Sequence, residues 1–394
     1  MRVLQICNKP PIPAVDGGCI AMNNVTKGLL DQGHEVQILT ICTKKHPFRE
    51  DELSDLYKEK TLIQGVFVDT KVNFVDAFSN LVTSDSYNVS RFFSPDFDLR
   101  LISILRKKKF DVVHLESLFM TPYIHSIRRF SKAKVILRSH NLEYMIWERQ
   151  AEGAKNPAKK IYISMLARQL KKYELKIMNE VDGIAAISRQ DADKYLGFGC
   201  TTPMQISPFG IDMEEHDSIA KKAPQNTVFH IGAMDWKPNL EGLGWFKSEV
   251  WPSIKNVELH LAGRNMPSWF MEENDTSIIN HGEVESAKDF MDDHAIMIVP
   301  ILSAGGMRVK IIEGMARRKA IISTTIGAEG ISCTHGKDII IADTKEEMIE
   351  AINKLIGDPE LVKEIGNNAR KLVEDRYDNM QIIKDLVEFY KGLD

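Results

Sequence analysis

Residues 300–330 have the sequence PILSAGGMRVKIIEGMARRKAIISTTIGAEG, in which a strand end, a glycine loop, a helix, a second strand and a second glycine loop follow one another. The apolar run 295–299 before it is typical of a buried strand. Pro300 ends that strand because proline has no amide hydrogen to donate. Apolar residues then recur at helical spacing from Met307 to Ala316. This alternation of strands and helices indicates an α/β fold with a parallel sheet.

The loop at the start of this helix has the composition of an anion site. Gly305 and Gly306 allow a ligand to approach the backbone closely, and the helix then begins with its amide groups directed at the loop. Arg308 and Lys310 add cations where the helix dipole is already positive, which favours a nearby anion. Glu313 can accept hydrogen bonds from the paired hydroxyls of a ribose. The pattern indicates a nucleotide; an exposed helix surface is the alternative, since short glycine motifs also match by chance.

The totals predict a soluble protein of two domains. A chain of 394 residues with 43% hydrophobic and 27% charged residues can form two cores. Residues 3–7 form a strand-like run directly after Met1, which is unlike a signal peptide. No segment approaches the roughly 18 apolar residues of a membrane-spanning helix. The five cysteines lack C-x-x-C pairs, so we expect reduced thiols in the cytoplasm.

The charges are distributed unevenly. Residues 100–176 contain eighteen Lys and Arg against six Asp and Glu, a local net charge of +12 in a chain of net charge −4. This asymmetry predicts a surface that faces an anionic membrane, with solvated lysine-rich helices as the alternative. Nucleic acid is disfavoured because the region lacks interleaved aromatic residues. Within it, residues 155–179 predict a long helix whose apolar stripe we expect in the core: Ile161, Met165, Leu166, Leu170, Tyr173 and Ile177.

The start of the chain predicts a strand–loop–helix–strand unit. Its loop contains Gly17 and Gly18, which do not match the dinucleotide fingerprint G-x-G-x-x-G, so no nicotinamide cofactor is indicated. His140 follows a later strand, at the edge of the sheet where ligands gather in open α/β folds. His114, within another strand pattern, is its competitor for a functional role.

Three stretches resemble the family 4 retaining glycosyltransferases of the GT-B fold. They are GGMRVKIIEGMA (305–316), AIISTTIGAEGI (320–331) and the interdomain turn SPFGID (207–212). The resemblance implies two Rossmann-like domains that face each other across a cleft. The expected first domain is 1–207 plus a C-terminal helix, 377–394, which crosses back to it. The expected second domain, which binds the nucleotide sugar, is 208–376.

The resemblance also implies roles for individual residues. Arg308 and Lys310 are expected to bind the diphosphate, and His140 to contact the transferred sugar. The expected donor-binding residues are Gly17, Gly18, Gly232, Lys237, Gly305, Gly306, Met307 and Glu313, with Asp16 as a further candidate and no metal ligand. Two positions depart from the family pattern: Gly305 replaces a glutamate and Ala233 replaces an arginine. Either Lys237, Arg308 and Lys310 compensate, or the site is weakened.

The expected function is metal-independent transfer of a sugar, with retention, from a UDP- or GDP-linked donor to a glycan or polyprenyl-linked acceptor. No other cofactor is expected. Partners would be the nucleotide sugar, the acceptor and a membrane contacted through residues 100–176, which places the protein in the cytoplasm or at the inner face of the cell membrane. Two alternatives stay open: a catalytically weak partner subunit, and a sugar-nucleotide epimerase, which would convert the donor without an acceptor.

Overall fold

The chain forms two compact units. The computed structural model describes residues 1–70, 87–216, 226–271 and 275–393. One unit comprises Met1–Gly210 and Asn379–Asp394, and the other Ile211–Asp378. The sequence placed these boundaries after residues 207 and 376. The two ends of the second unit are paired, since the Ile211 amide donates to the carbonyl of Tyr377 at 2.9 Å.

The first unit contains a seven-stranded sheet in the order β3-β2-β1-β4-β5-β6-β7. All neighbouring strands run parallel, and most of their residues are buried, as expected for strands covered on both faces. The strands are β1 (Arg2–Cys7), β2 (Glu35–Cys42), β3 (Gln64–Phe67), β4 (Val112–Glu116), β5 (Lys134–Ser139), β6 (Gly183–Ala186) and β7 (Met204–Ile206).

Helices pack around this sheet. They are α1 (Gly17–Asp31), α2 (Asp55–Thr61), α3 (Tyr87–Ser90), α4 (Pro95–Lys107), α5 (Ile124–Phe130), α6 (Glu143–Glu152), α7 (Pro157–Ile177) and α8 (Arg189–Gly197). The last helix of the chain, α15 (Asn379–Lys391), belongs to this unit. It packs on α1 so closely that a Cβ on Gly28 would lie 2.6 Å from Ile383 Cγ1. The expected return of the C-terminal helix to the first domain is therefore confirmed.

The apolar stripe of α7 differs from the predicted one. Its buried residues include Ile163, Leu166, Leu170 and Ile177, whereas Ile161 is 71% exposed. Ile163 lies three, seven and fourteen positions before the other buried residues, which is helical spacing. Ile161 is two positions from Ile163, about 200° around the helix axis. The prediction that Ile161 lies in the core was wrong. A single apolar residue at the end of a stripe does not show which face of the helix packs against the rest of the protein.

The second unit contains a six-stranded parallel sheet in the order β10-β9-β8-β11-β12-β13. The strands are β8 (Thr227–Ile231), β9 (Glu258–Ala262), β10 (Ile278–Gly282), β11 (Ile296–Val299), β12 (Ala320–Ser323) and β13 (Ile340–Ile341). The helices are α9 (Lys237–Trp245), α10 (Ser268–Met271), α11 (Ala287–Asp292), α12 (Val309–Ala316), α13 (Lys345–Gly357) and α14 (Pro359–Arg376). None of the helices in the described ranges combines the length and apolar character needed to cross a membrane.

The stretch 300–330 forms the predicted elements, with one difference. Helix α12 begins at Val309 rather than at Met307. Arg308 precedes it in an extended conformation, and Gly306 has a φ of +77°. Gly306 adopts the left-handed conformation, which costs glycine no steric strain. The turn therefore includes Met307 and Arg308, and the helix begins only after them.

Candidate functional site

Arg308 fastens the glycine loop between β11 and α12. Its Nη1 donates to the carbonyl of Gly305 at 2.6 Å and also to that of Gly306, and its Nη2 donates to the carbonyl of Ile326 at 3.2 Å. The guanidinium also lies over Trp236, 5.7 Å from the ring centroid. Arg308 therefore joins the two glycine loops of the stretch 300–330 and holds a positive charge at the start of α12.

The side chain of Lys310 extends from α12 to the end of the strand β8. Its Nζ donates to Asn239 Oδ1 at 2.8 Å and to the carbonyl of Ile231 at 3.1 Å, and it lies 3.3 Å from His230 Nε2. His230 Nδ1 lies 2.9 Å from the carbonyl of Ile298. Since a carbonyl can only accept, Nδ1 carries the ring proton and Nε2 accepts from Lys310. The ammonium thus has three acceptors.

The protonation of Lys310 is finely balanced in this position. Burial lowers the pKa of Lys310 to about 7, and the neighbouring Arg308 lowers it further in the same direction. Burial also holds the pKa of His230 well below its ordinary value, and Lys310 adds to that shift. An anion beside Lys310 would stabilise its ammonium form. The site can therefore couple anion binding to proton uptake near neutral pH.

Gly232 allows Lys310 to reach the loop after β8. A Cβ on Gly232 would lie 2.7 Å from Lys310 Nζ and 2.8 Å from Asn239 Nδ2. The lysine thus supplies a cation to the loop in which Ala233 stands at the family's arginine position. Lys237 is the first residue of α9: its side chain is 84% exposed and its Nζ lies 3.0 Å from Glu241 Oε1.

Glu313 and Met307 complete the predicted set in this unit. Glu313 is half-buried on α12, and burial raises the pKa of its carboxyl against the opposing charges of Lys288, Arg317 and Lys310. Within the described ranges its side chain makes no hydrogen bond. Met307, which follows the glycine loop, is buried. Glu313 therefore retains its capacity to accept hydrogen bonds.

In the first unit, His140 is held by Glu116. His140 Nε2 lies 2.7 Å from Glu116 Oε2, and the imidazole side chain is 12% exposed. A carboxylate only accepts, so Nε2 donates and Nδ1 is left as an acceptor. Burial lowers the pKa of His140 although Glu116 opposes the shift. The neutral ring can accept a hydrogen bond at Nδ1.

Glu116 is the centre of a buried polar cluster. Gln5 Nε2 donates to Glu116 Oε1 at 2.8 Å, and Arg138 Nη1 lies 3.5 Å from Glu116 Oε2. Burial alone would raise the pKa of Glu116, but Arg138, His114 and His140 hold it well below its usual range. His114 is fully buried and contacts the Tyr390 hydroxyl of α15. Of the two candidate histidines, His140 is therefore the one that reaches the surface.

Glu116 and Arg138 were not predicted as site residues from the sequence. Both lie at the carboxyl end of strands, at the last residue of β4 and next to the last of β5. The rule that selected His140 as a strand-end residue applies equally to them. Their role was hidden because charged residues in such short strand patterns are usually assigned to the surface.

The loop with Gly17 and Gly18 contains its own ion pair. Asp16 caps α1 by accepting from the Cys19 amide at 2.9 Å, and Lys9 Nζ donates to both carboxylate oxygens at 2.7 Å. Burial would raise the pKa of Asp16, but His46 and Lys9 hold it below its ordinary value. A Cβ on Gly18 would lie 2.8 Å from Lys9 Nζ. Lys9 was not predicted from the sequence.

Among the described residues, no group of three His, Cys, Asp or Glu side chains could hold a metal ion.

Two family models match the chain. Residues 15–215 match the model Glycosyltransferase Family 4, and residues 225–358 match Glycosyl transferases group 1. The first match alone spans just over half of the 394 residues. The chain belongs to glycosyltransferase family 4. The resemblance seen in the sequence is thus confirmed.

Several known proteins are similar to this glycosyltransferase over nearly its whole length. An uncharacterized 44.6 kDa protein in the cps region of Klebsiella pneumoniae is 25% identical over 408 residues, covering 98% of each chain. Sucrose-phosphate synthase from Thermosynechococcus elongatus has a TM-score of 0.75 at 15% identity, covering 100% of this chain and 99% of its own. Anabaena HepE, solved with UDP-glucose, has a TM-score of 0.67 at 11% identity, covering 99% and 100%. These structures confirm the fold of two Rossmann-like domains.

Proposed function

We propose that this family 4 glycosyltransferase moves a sugar from a nucleotide diphosphate to a glycan or polyprenyl-linked acceptor, with retention and without a metal ion. The observation that carries the proposal is the position of Lys310 at the loop after β8. That loop has Ala233 in place of the family's arginine, and Lys310 brings a cation to it from α12. We propose that this cation compensates for the missing arginine.

The proposed chemistry is stabilisation of the leaving group. A departing nucleoside diphosphate gains negative charge as the glycosidic bond breaks, and preorganised cations and amides lower the barrier. Arg308, Lys310 and the first amides of α12 are the groups that meet this charge. Gly305 and Gly306 allow the phosphates to approach the backbone. Glu313 accepts from the ribose hydroxyls, and Gly232 leaves space for Lys310.

The first unit is proposed to bind the transferred sugar and the acceptor. His140 Nδ1 accepts from a hydroxyl of the sugar, because Nε2 is occupied by Glu116. Gly18 leaves space for the Lys9 side chain at the start of α1, and Gly17 and Gly18 are proposed to approach the donor there. Retention would follow if the donor phosphate itself removed the proton from the attacking hydroxyl, as in the front-face mechanism that the family resemblance implies.

Two comparisons support the class of donor and acceptor. HepE was solved with UDP-glucose, which supports a nucleotide sugar as the donor. We propose that the donor here is linked to UDP or GDP. The Klebsiella pneumoniae relative lies in a cps region, which supports a role in polysaccharide biosynthesis. We further propose that the enzyme works at the inner face of the cell membrane and contacts it within residues 100–176.

The proposal is tested by binding UDP-, GDP- and ADP-sugars to the protein by calorimetry, followed by transfer assays with the donor that binds. We expect one donor to bind and to yield a product with the anomeric configuration of the donor, as read by NMR. We expect unchanged turnover in the presence of a chelator. Activity that disappears with the chelator and returns with magnesium would refute metal independence, and an inverted product would refute retention.

A catalytically weak partner subunit is the second candidate. It is favoured by Gly305 at the family's glutamate position and by Lys237, whose exposed side chain pairs with Glu241. This candidate predicts donor binding without sugar transfer to any lipid-linked or soluble saccharide. Conversion of the donor sugar in the absence of an acceptor would instead identify an epimerase.

A further inference from the structure

The first two turns of α7 expose apolar side chains. Ile161 is 71% exposed and Tyr162 39% exposed, although isoleucine is a residue type that is most often buried. The helix packs on α6, and its buried residues include Ile163 and Leu166. Scattered apolar residues are common on protein surfaces, so the neighbours of these two decide whether they have a function.

The neighbours of Ile161 and Tyr162 are cationic. Residues 155–173 contain six Lys and Arg and no Asp or Glu. Lys155, Lys159 and Lys160 are exposed and form no ion pair within the described ranges. The preceding helix, α6, carries three acids, Glu143, Glu148 and Glu152, of which Glu143 is buried and Glu152 is exposed.

The cations continue along the same face of the helix. Arg168 and Lys172 lie seven and eleven positions after Ile161, which is the spacing of residues on one side of a helix, and both are exposed. Lys171 is different, because its Nζ lies 4.7 Å from the ring centroid of Tyr144 and 4.9 Å from that of Phe198. The exposed face of α7 therefore combines an apolar beginning with a stripe of positive charge.

We propose that this face of α7 docks on an anionic lipid bilayer. Ile161 and Tyr162 would enter the interface between headgroups and acyl chains, while Lys159 and Lys160 bind lipid phosphates and Arg168 continues the contact. Long lysine side chains suit this arrangement, because their aliphatic stems lie along apolar surface while the ammonium stays at the phosphates. An acidic protein would match the charge but would not explain the two exposed apolar side chains at the same place.

A second exposed aliphatic residue in the same unit provides a contrast. Leu99 on α4 is 66% exposed, almost as much as Ile161. Its charged neighbours along the helix are Asp96, Asp98 and Arg100, with a net charge of −1 that does not favour an anionic surface. Leu99 is therefore a matched control, with similar exposure and the opposite local charge.

The docking proposal rests on the proposed function in one respect: docking would bring the enzyme to a lipid-linked acceptor.

The test is co-sedimentation of the full chain with phosphatidylcholine vesicles that contain or lack phosphatidylglycerol. We expect binding to the anionic vesicles alone, decreasing with added salt. Ile161→Glu should reduce it by tenfold or more, and Lys159→Gln with Lys160→Gln by about fivefold for each lysine. Leu99→Glu should bind like wild type.

The other possible outcomes would overturn either the docking proposal or the proposed function. No binding of the wild type, equal binding to neutral vesicles, or equal loss in Ile161→Glu and Leu99→Glu would overturn the docking proposal. Thermal unfolding and donor binding of each variant show that it is folded, and we expect both to be unchanged. Transfer to a soluble saccharide is measured separately: vesicle binding without any transfer would refute the proposed function and leave the docking intact.

Discussion

Helices α1 and α12 both begin at a glycine loop, but the residues at their N-cap positions carry opposite charges. Helix α1 is capped by Asp16, whose carboxylate accepts from the Cys19 amide and pairs with Lys9. Helix α12 has no acid in its first turn, and the residue at its cap position is Arg308, whose side chain makes no capping hydrogen bond. Since a helix start favours negative charge, α1 supplies its own anion and α12 does not.

This difference separates a structural helix start from one suited to an external anion. At α1 the charges of Asp16 and Lys9 compensate each other within the protein. At α12 two cations, Arg308 and Lys310, stand beside the positive end of the helix dipole, and burial already lowers the pKa of Lys310. A diphosphate at α12 would relieve this accumulation of positive charge. The following substitutions test the comparison in order of expected effect.

The largest effect is expected at Arg308. Arg308→Ala should lower turnover by roughly 100- to 1000-fold, because it removes a cation that meets the developing charge and also releases the glycine loops. The measurement is kcat with saturating donor, alongside thermal unfolding. Lys255→Ala removes an exposed cation from the same unit and should leave kcat unchanged. Normal turnover of Arg308→Ala would show that α12 is not the catalytic helix start.

The next effect concerns Lys310. Lys310→Met should weaken the binding of the nucleotide sugar by roughly 10- to 100-fold, since a buried charge-assisted contact is lost. In the protein without a bound donor, burial lowers the pKa of Lys310 to about 7, and a bound diphosphate would raise it. Below pH 7 the ammonium is already formed. Above pH 7 binding takes up a proton, so the wild-type affinity should decrease by up to about tenfold per pH unit.

Calorimetry in buffers of different ionisation enthalpy measures this proton uptake directly. It should be present in the wild type above pH 7 and absent in Lys310→Met. The same pH dependence in both proteins would mean that another group takes up the proton. Lys310 would then be a structural residue of the contact between α12 and β8.

A smaller effect is expected at Glu313. Glu313→Gln keeps the size of the side chain but removes the charge that strengthens hydrogen bonds from ribose hydroxyls, so donor affinity should fall by about tenfold with kcat little changed. The control is Glu346→Gln, an exposed carboxylate on α13. Unchanged donor affinity of Glu313→Gln would indicate that α12 binds the phosphates without contacting the ribose.

The smallest effect on binding is expected at Asp16. Asp16→Ala should lower the free energy of unfolding by about 1 kcal/mol through loss of the cap, with donor affinity nearly unchanged. Because the folded-state pKa of Asp16 is lowered, its contribution is present above the pKa of the unfolded chain and is lost as the pH falls below it. Denaturant unfolding at pH 7 and at acidic pH measures both. Loss of donor affinity as large as in Lys310→Met would break the comparison.

Much of the fold followed from local patterns. The stretch 300–330 predicted β11, α12, β12 and both glycine loops, and α12 differed from the prediction by two residues at its start. The family, the fold of two Rossmann-like domains and the return of α15 were also predicted correctly. The roles of Gly17, Gly18, Lys237 and the other predicted site residues stay predictions until the substitutions are measured.

The sequence by itself determined which residue types stand at helix starts and strand ends, because helical and strand periodicity and glycine loops are local properties of a chain. Tertiary structure alone decided that Lys310 meets His230, that Glu116 holds His140, and that Ile161 faces solvent. These contacts join residues far apart in the chain or depend on how a helix is rotated against its neighbour. Strand order and helix packing set both, and a linear pattern does not encode them.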